Sequence, residues 1–419
     1  MILIRLSILL ILFLSLSLNL ASGQSIITST SLQLKSNSVP AVHFLTIAPD
    51  ARSGSLGDAG VATSPDINSQ HWNPAKYAIL DSKWGAAISY IPWLRGFNNN
   101  NNLVYATGFY RINNRQVIST SLRYFSLGDI IFLNVSGNIQ GQFNPKEMAL
   151  DIAYSRLLSE NLSFAIALRY IYSDLTGGNL VSGTKTKPGR AIAGDLALFH
   201  DNNVRIFKQN AKLAFGLNIS NIGNKVTYSD EWEKQFLPAN LRLGSTFSMN
   251  LGKNNSVCII TDINKLLIPT YPIFINDSLG NRTILYGKNP NVSVPLSLIR
   301  SFWDAPGILK KNGERSVLLE ELHEIMYSFG AEYWYRNKFV LRSGYFHEHE
   351  TKGNRKYFAL GIGFRIKTFE TDIGYLLPVN KSSPYTNTFR FTLSFQLGKE
   401  NTDISDNSGK TSDLDHLWP

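Results

Sequence analysis

The run Leu162-Ser163-Phe164-Ala165-Ile166-Ala167-Leu168-Arg169-Tyr170 alternates strictly: even positions are large and apolar, odd positions small or charged. Side chains of a strand point to opposite faces in turn, so this run has one greasy face and one polar face. The same period recurs outward along the chain. Met148, Leu150, Ile152 and Tyr154 alternate with Ala149, Asp151, Ala153 and Ser155; Leu213, Phe215, Leu217 and Ile219 with Lys212, Ala214, Gly216 and Asn218. Phe389, Phe391, Leu393, Phe395 and Leu397 alternate with Thr388, Arg390, Thr392, Ser394 and Gln396. About fourteen such segments begin near Trp84, Asn102, Gln116, Glu147, Leu162, Arg190, Asn210, Leu237, Asn255, Met326, Lys338, Arg355, Phe369 and Asn387. Each is close to the ~9–11 residues that cross a bilayer at a tilt.

The connections separate a membrane barrel from a soluble β-protein. Those at Ile112–Arg115, Leu158–Asn161, Leu251–Asn254, Tyr335–Asn337 and Lys367–Thr368 are short. Those at Pro92–Asn101, Ser126–Lys146, Ser173–Pro188, Ile222–Phe236, Leu266–Ile325, Glu348–Asn354 and Pro378–Thr386 are mostly longer, and the two kinds alternate. His200–Gln209 fits least well, being longish where a short turn is due. Short turns on one side, long loops on the other and an even strand count describe an outer-membrane barrel. A sandwich has no reason to keep that alternation. An arginine facing lipid near the midplane costs about 2–4 kcal/mol, so the face carrying Arg123, Asp151, Arg169, Asp195, Arg242 and Arg390 must be the lumen. Residues Asp129–Phe143 are either an extra hairpin in an outer loop or two further strands. The expected fold is all-β: a transmembrane antiparallel barrel over residues 84–398.

Composition agrees. Of 419 residues 43% are hydrophobic, only 17% charged and 12% aromatic, which suits β-structure and interfacial belts. The lone Cys258 excludes an internal disulfide framework. The net charge of +10 is spread out, with no basic stripe or module of a nucleic-acid binder. Residues 1–23 read as a secretory leader: Arg5, an apolar stretch from Leu6 to Leu20, then Ala21-Ser22-Gly23 before Gln24. Residues 399–419, rich in Asp, Ser and Lys, read as a loose periplasmic tail.

Residues 24–83 then hold a Ser/Thr/Asn-rich lead-in and a lumenal plug. From Phe44 to Ala75 the chain is dominated by Gly, Ala, Ser and Asp and lacks the large apolar residues of an independent core. It must pack into something, and a charged lumen would pass solutes freely unless occupied. Asn73-Pro74 reads as a helix start, the Asn capping free N–H groups and Pro at the first helical position. Arg52, Gly57, Asp58, His71, Trp72, Asn73 and Pro74 are the plug residues singled out. His71-Trp72 could contact a ligand or be a packed aromatic with a hydrogen-bonded histidine.

Catalytic motifs are absent from the sequence, and no cofactor is expected: there is no nucleophile elbow and no phosphate-cradling loop. His347-Glu348-His349 could offer two imidazoles on one strand face to a metal, or be the polar rim of an outer loop. The segment Leu266–Ile325 is too long for a plain connection. Within it Pro295–Gly307 concentrates apolar and aromatic residues, a partner site or a lid on the barrel's own mouth. Leu298, Phe302, Trp303, Asp304 and Pro306 are the candidate contacts.

Several blocks carry a family resemblance. Asp50-Ala51-Arg52, Leu56-Gly57-Asp58-Ala59-Gly60-Val61-Ala62 and Asn73-Pro74-Ala75 resemble the plug of FadL-type outer-membrane barrels. The extended form through Ser69-Gln70-His71-Trp72-Asn73-Pro74-Ala75-Lys76-Tyr77 is similar to the PorV family, the FadL-like barrels of type IX secretion. Tyr124–Ile130, Phe143–Glu147, Ala167–Leu175, Phe302–Gly307, Gly330–Tyr335, Gly344–Glu348 and Lys352–Phe358 extend the resemblance, which runs from Phe44 to Leu397. It implies binding to the large translocon barrel and to cargo through its C-terminal signal domain, for delivery to a surface attachment complex. It also implies an outer-membrane location among lipid. The other reading is a FadL-like transporter of hydrophobic small molecules, with the plug as its gate.

Overall fold

Fourteen antiparallel strands close on themselves in the computed structural model, which describes residues 39–93, 101–133, 139–181, 183–206, 209–276, 281–380 and 388–399. The stretches read as leader and tail, and most of the lead-in, lie outside the described residues. In chain order the strands are β1 (Ser82–Pro92), β2 (Asn101–Asn113), β3 (Gln116–Leu127), β4 (Lys146–Ser159), β5 (Leu162–Asp174), β6 (Gly189–Ile206) and β7 (Gln209–Gly223). They continue as β8 (Asn240–Asn250), β9 (Asn255–Leu266), β10 (Met326–Tyr335), β11 (Phe339–His347), β12 (Lys356–Ile366), β13 (Phe369–Pro378) and β14 (Thr388–Lys399). Each pairs with its neighbours in sequence, and β1 pairs with β14 through Trp84↔Leu397 and Ile88↔Leu393. Closure leaves no edge, the condition for a sheet in a medium that cannot hydrogen-bond its backbone.

The surface is inverted relative to a water-soluble protein. Leu168, Ile152 and Ile192 are 69%, 58% and 63% exposed, whereas Arg169, Asp151 and Asp195 are buried. Arg123, Arg242 and Arg390 are buried as well, so the charged face of the alternation points inward. Outward aromatics gather near both rims. Trp84, Tyr110, Tyr335, Phe339 and Phe369 lie toward the short turns; Tyr90, Tyr124, Tyr170, Phe358 and Phe389 lie toward the long loops. Two such girdles mark the two lipid–water interfaces.

Local chemistry sets the strand ends. Arg336 and Asn337 both take positive φ between β10 and β11, as a tight twisted hairpin turn requires. β8 begins at Asn240 and not at Leu237, because Pro238 has no N–H for the ladder. The run from His200, expected as a loop, is strand: β6 continues to Ile206, with Asn202↔Leu213 and Val204↔Ala211 in register with β7. Within the span left open between an extra hairpin and two further strands, Ile130–Leu133 pairs antiparallel with Ile139–Phe143 in a two-stranded sheet separate from the barrel.

Residues 39–81 run from the long-loop end to the start of β1. The Ala41 N–H donates to the Phe236 carbonyl (2.8 Å), and Val42, Phe44 and Leu45 pack with Ile91, Leu103, Phe125 and Ile171. Near the short-turn end Ile67, Tyr77 and Leu80 pack with Phe109 and Val117.

Candidate functional site

Between the apolar clusters near its two ends, the segment that crosses the barrel interior is held by polar bonds to inward-facing side chains. Asp50 caps its first short helical turn, Ala51–Gly54, accepting from the Ser53 N–H (2.8 Å) and from the Trp72 indole (2.6 Å). Arg52 forks onto Glu332 of β10 (2.9 and 3.0 Å) and also reaches Asp66 (2.9 Å). Asp58 accepts from the Tyr357 hydroxyl and lies 3.4 Å from the Arg390 guanidinium. Asp262 of β9 accepts from two consecutive N–H groups, Gly60 and Val61 (2.7 and 2.9 Å).

Close approach requires missing side chains on both sides. Gly57 has φ +69°, and a Cβ added to Gly344 opposite would lie 2.1 Å from its nitrogen. Asn73 caps the 3₁₀ turn Pro74–Ile79 through the Ala75 N–H (3.1 Å) while its amide donates to the carbonyls of Val61 (3.0 Å) and Leu198 (2.8 Å). The Pro74 and Ala75 carbonyls accept from Ser155 and Ser163 (2.7 and 2.8 Å). His71 lies between two guanidiniums, Arg123 at Nδ1 (2.7 Å) and Arg242 at Nε2 (3.3 Å). In the described chain His71 and Trp72 are both buried.

A second constellation caps the long-loop end. Between β9 and β10 the chain makes the hairpin Ile273–Asn276/Arg282–Tyr286, the helix Val294–Arg300, a small hairpin at Ile308–Leu309/Arg315–Ser316 and the helix Val317–His323. A clamp of five charges ties this cap to the mouth. Lys265 bridges Glu321 and Glu324 (2.9 and 2.7 Å), and Lys352 bridges Glu320 and Glu324 (2.7 and 2.9 Å). Burial opposes the charge on Glu324, but the two lysines more than offset it and hold the carboxyl below its usual range. The Lys265 ammonium also lies 5.7 Å from the centre of the Phe302 ring.

The five candidate contacts divide. Phe302 and Trp303 are about half exposed (45% and 48%), beside exposed Leu296 and Ile299. Leu298 packs against Ala239, Leu267 and Ile268. Asp304 and Pro306 are buried: Asp304 accepts from the Thr270 N–H (3.3 Å), inside the cap. Sequence reasoning missed the exposed row Leu318, Leu319 and Leu322 on the neighbouring helix, whose only sequence signal is three leucines within five residues. Glu348 bridges Arg355 (2.9 Å), His349 stacks on His323, and among the described residues no three His, Cys, Asp or Glu side chains are placed to hold a metal.

The closed barrel, its lipid-facing girdles and its family match define an outer-membrane, multi-pass β-barrel protein. The model of the family described as "Type IX secretion system protein PorV" matches residues 31–273, more than half of the chain, and the chain belongs to that family. No curated protein matches it by sequence. Solved structures similar to it include the Ralstonia pickettii toluene transporter TbuX (12% identity, 85% of this chain and 100% of that one, TM-score 0.42). The Pseudomonas putida toluene transporter TodX is another (9%, 86% and 99%, TM-score 0.46), as is a Pseudomonas aeruginosa FadL homologue (10%, 87% and 100%, TM-score 0.41).

Proposed function

We propose that this barrel is a docking component of the type IX secretion system. It binds the large translocon barrel, receives cargo through the cargo's C-terminal signal domain and passes it to the surface attachment complex. The observation that carries the reading is the outer cap: Leu296, Ile299, Phe302, Trp303 and Leu318 are each exposed on a loop held to the mouth by the lysine–glutamate clamp. Exposed aromatics on a rigid support are what a protein partner buries first. The interior segment acts as a plug, its polar bonds to the wall closing the lumen so that the protein binds without leaking.

The replacement of both Phe302 and Trp303 by Ala tests the cap. Both rings are half exposed, so the barrel keeps its heat-shifted gel mobility while co-purification with the translocon or cargo falls at least tenfold. Unchanged association overturns the assignment of this surface. Uptake of a labelled fatty acid by reconstituted protein, with normal cargo release in a deletion strain, would instead favour a transporter.

A further inference from the structure

The helix Val317–His323 is amphipathic the wrong way round for a loop in water. Glu320 and Glu321 are buried, whereas Leu318 is 72% exposed and Leu319 and Leu322 are exposed with it. At about 100° per residue the three leucines fall on one side of the helix and Glu320, Glu321 and Glu324 on the other.

Strand parity shows which side of the wall the acids reach. Asn264 and Leu266 of β9 line a cavity in the lumen beneath the cap, together with Trp72 and Arg242. Alternate residues of a strand point to opposite faces, so Lys265 between them points out of the barrel, as exposed Ile259 and Ile263 do. Its ammonium is buried all the same, because Glu321 and Glu324 of the helix bridge it. The helix therefore lays its acid face against the outer side of the rim. Lys352 and the stacking of His323 on His349 fix it to the β11–β12 loop as well.

The height of the helix follows from the same strands. Ile263 pairs with Tyr327 of β10, which shares the outward face with exposed Phe329 and Tyr333. Lys265 stands two residues, ~7 Å of strand, beyond that pair. β10 has ten residues. That is ~33 Å of strand, which at a tilt of ~40° crosses the ~25 Å apolar band with nothing to spare. The helix ends at His323, three positions before β10 begins, and so lies at the outer lipid–water interface.

We propose that the helix Val317–His323 rests on the outer leaflet, with Leu318, Leu319 and Leu322 sunk among the acyl chains and the acid face turned to the rim. Lipid is the occupant because the leucine row continues the lipid-facing surface of β9 and β10. An amphipathic helix in that position buries its apolar face ~5–10 Å into the headgroup–acyl boundary. Its effect is to hold the cap at a fixed height above the bilayer. Leu318 is common to this row and to the docking face, where another barrel in the same membrane would meet it. The inference rests on strand parity and stands whether or not Phe302 and Trp303 bind the translocon.

The test places an environment-sensitive fluorophore on Leu319→Cys and, separately, on Leu322→Cys of the full chain in phosphatidylcholine liposomes with brominated acyl chains. The lone native Cys258 is buried, and the unaltered chain carried through the labelling supplies the blank. Leu168→Cys on the wall marks full lipid contact and Asn312→Cys on the exposed small hairpin marks water. Quenching at 319 and 322 should reach at least half of that at 168, with none at 312. Hydroxyl-radical footprinting of the unaltered protein decides the matter even if a variant does not fold. In liposomes Leu318, Leu319 and Leu322 should be modified at least fivefold less than Leu285 and Leu309, exposed residues of the same cap. Quenching no greater than at 312, or leucines modified as fast as Leu309, overturns the proposal and leaves the row to a protein partner.

Discussion

Glu332 accepts from two guanidiniums in a buried site, Arg52 of the interior segment and Arg342 of β11 (2.9 and 2.8 Å). One carboxylate therefore stitches the segment to the wall and two strands to each other. Removing one member of such a group strands the others as uncompensated charges, which costs about 3–5 kcal/mol. Glu332→Gln is isosteric yet takes one carboxylate from each guanidinium, leaving Asp66 beside Arg52 and Asp372 and Glu370 beside Arg342. The expected outcome is a clear fall in the midpoint of heat-shifted gel mobility, whereas Glu350→Gln on an exposed rim position leaves it in place. Equal midpoints for E332Q and the parent chain would mean that this carboxylate anchors nothing.

At the scale of elements the cap is the least regular part and carries a pH dependence. Burial pushes the Asp304 carboxyl up to about 6, the Thr270 N–H drawing it partly back. The folded cap thus keeps a proton that the opened loop releases, and its stability falls as pH rises between about 4 and 6, then levels off. Asp304→Asn keeps an acceptor for Thr270 and abolishes that loss. At pH 7.5 its Val294–Arg300 helix should exchange amide hydrogens more slowly than the parent's, by up to about 2 kcal/mol of opening free energy after solvent screening. Near pH 4 the two should match, and a parent no looser at pH 7.5 contradicts the account. The cap also shows where sequence reading stopped. Period two is a local property, so the strands from Trp84 to Asn387 were legible to within a few residues. Polar Asn202 and Asn203 broke the pattern because a strand beyond the apolar band needs no greasy face. Arg52 finds Glu332 across 280 positions and Lys265 finds Glu321 across 56; no local pattern encodes either pair. Asp304 and Pro306 sit in the same aromatic block as Phe302, and only the folded loop separates the buried from the exposed.

In the whole molecule the wall and its contents are stabilised by different means. The wall satisfies its backbone strand to strand around a closed ring, and its outward Leu, Ile and aromatic side chains are solvated by lipid. Neither contribution involves residues 39–78. The contents depend on the wall throughout, through Glu332, Asp262, Ser155 and the space left by Gly344. The dependence therefore runs one way. A chain in which residues 1–23 are joined directly to Ile79 should still insert and show heat-shifted mobility, with a lowered unfolding temperature. Its lumen, now lined by water and the side chains of Arg169, Asp195, Asp262 and Glu332, should conduct ions in a planar bilayer where the parent chain stays closed. Equal conductance in the two, with the shortened barrel demonstrably inserted, would show that something other than the interior segment seals the bore.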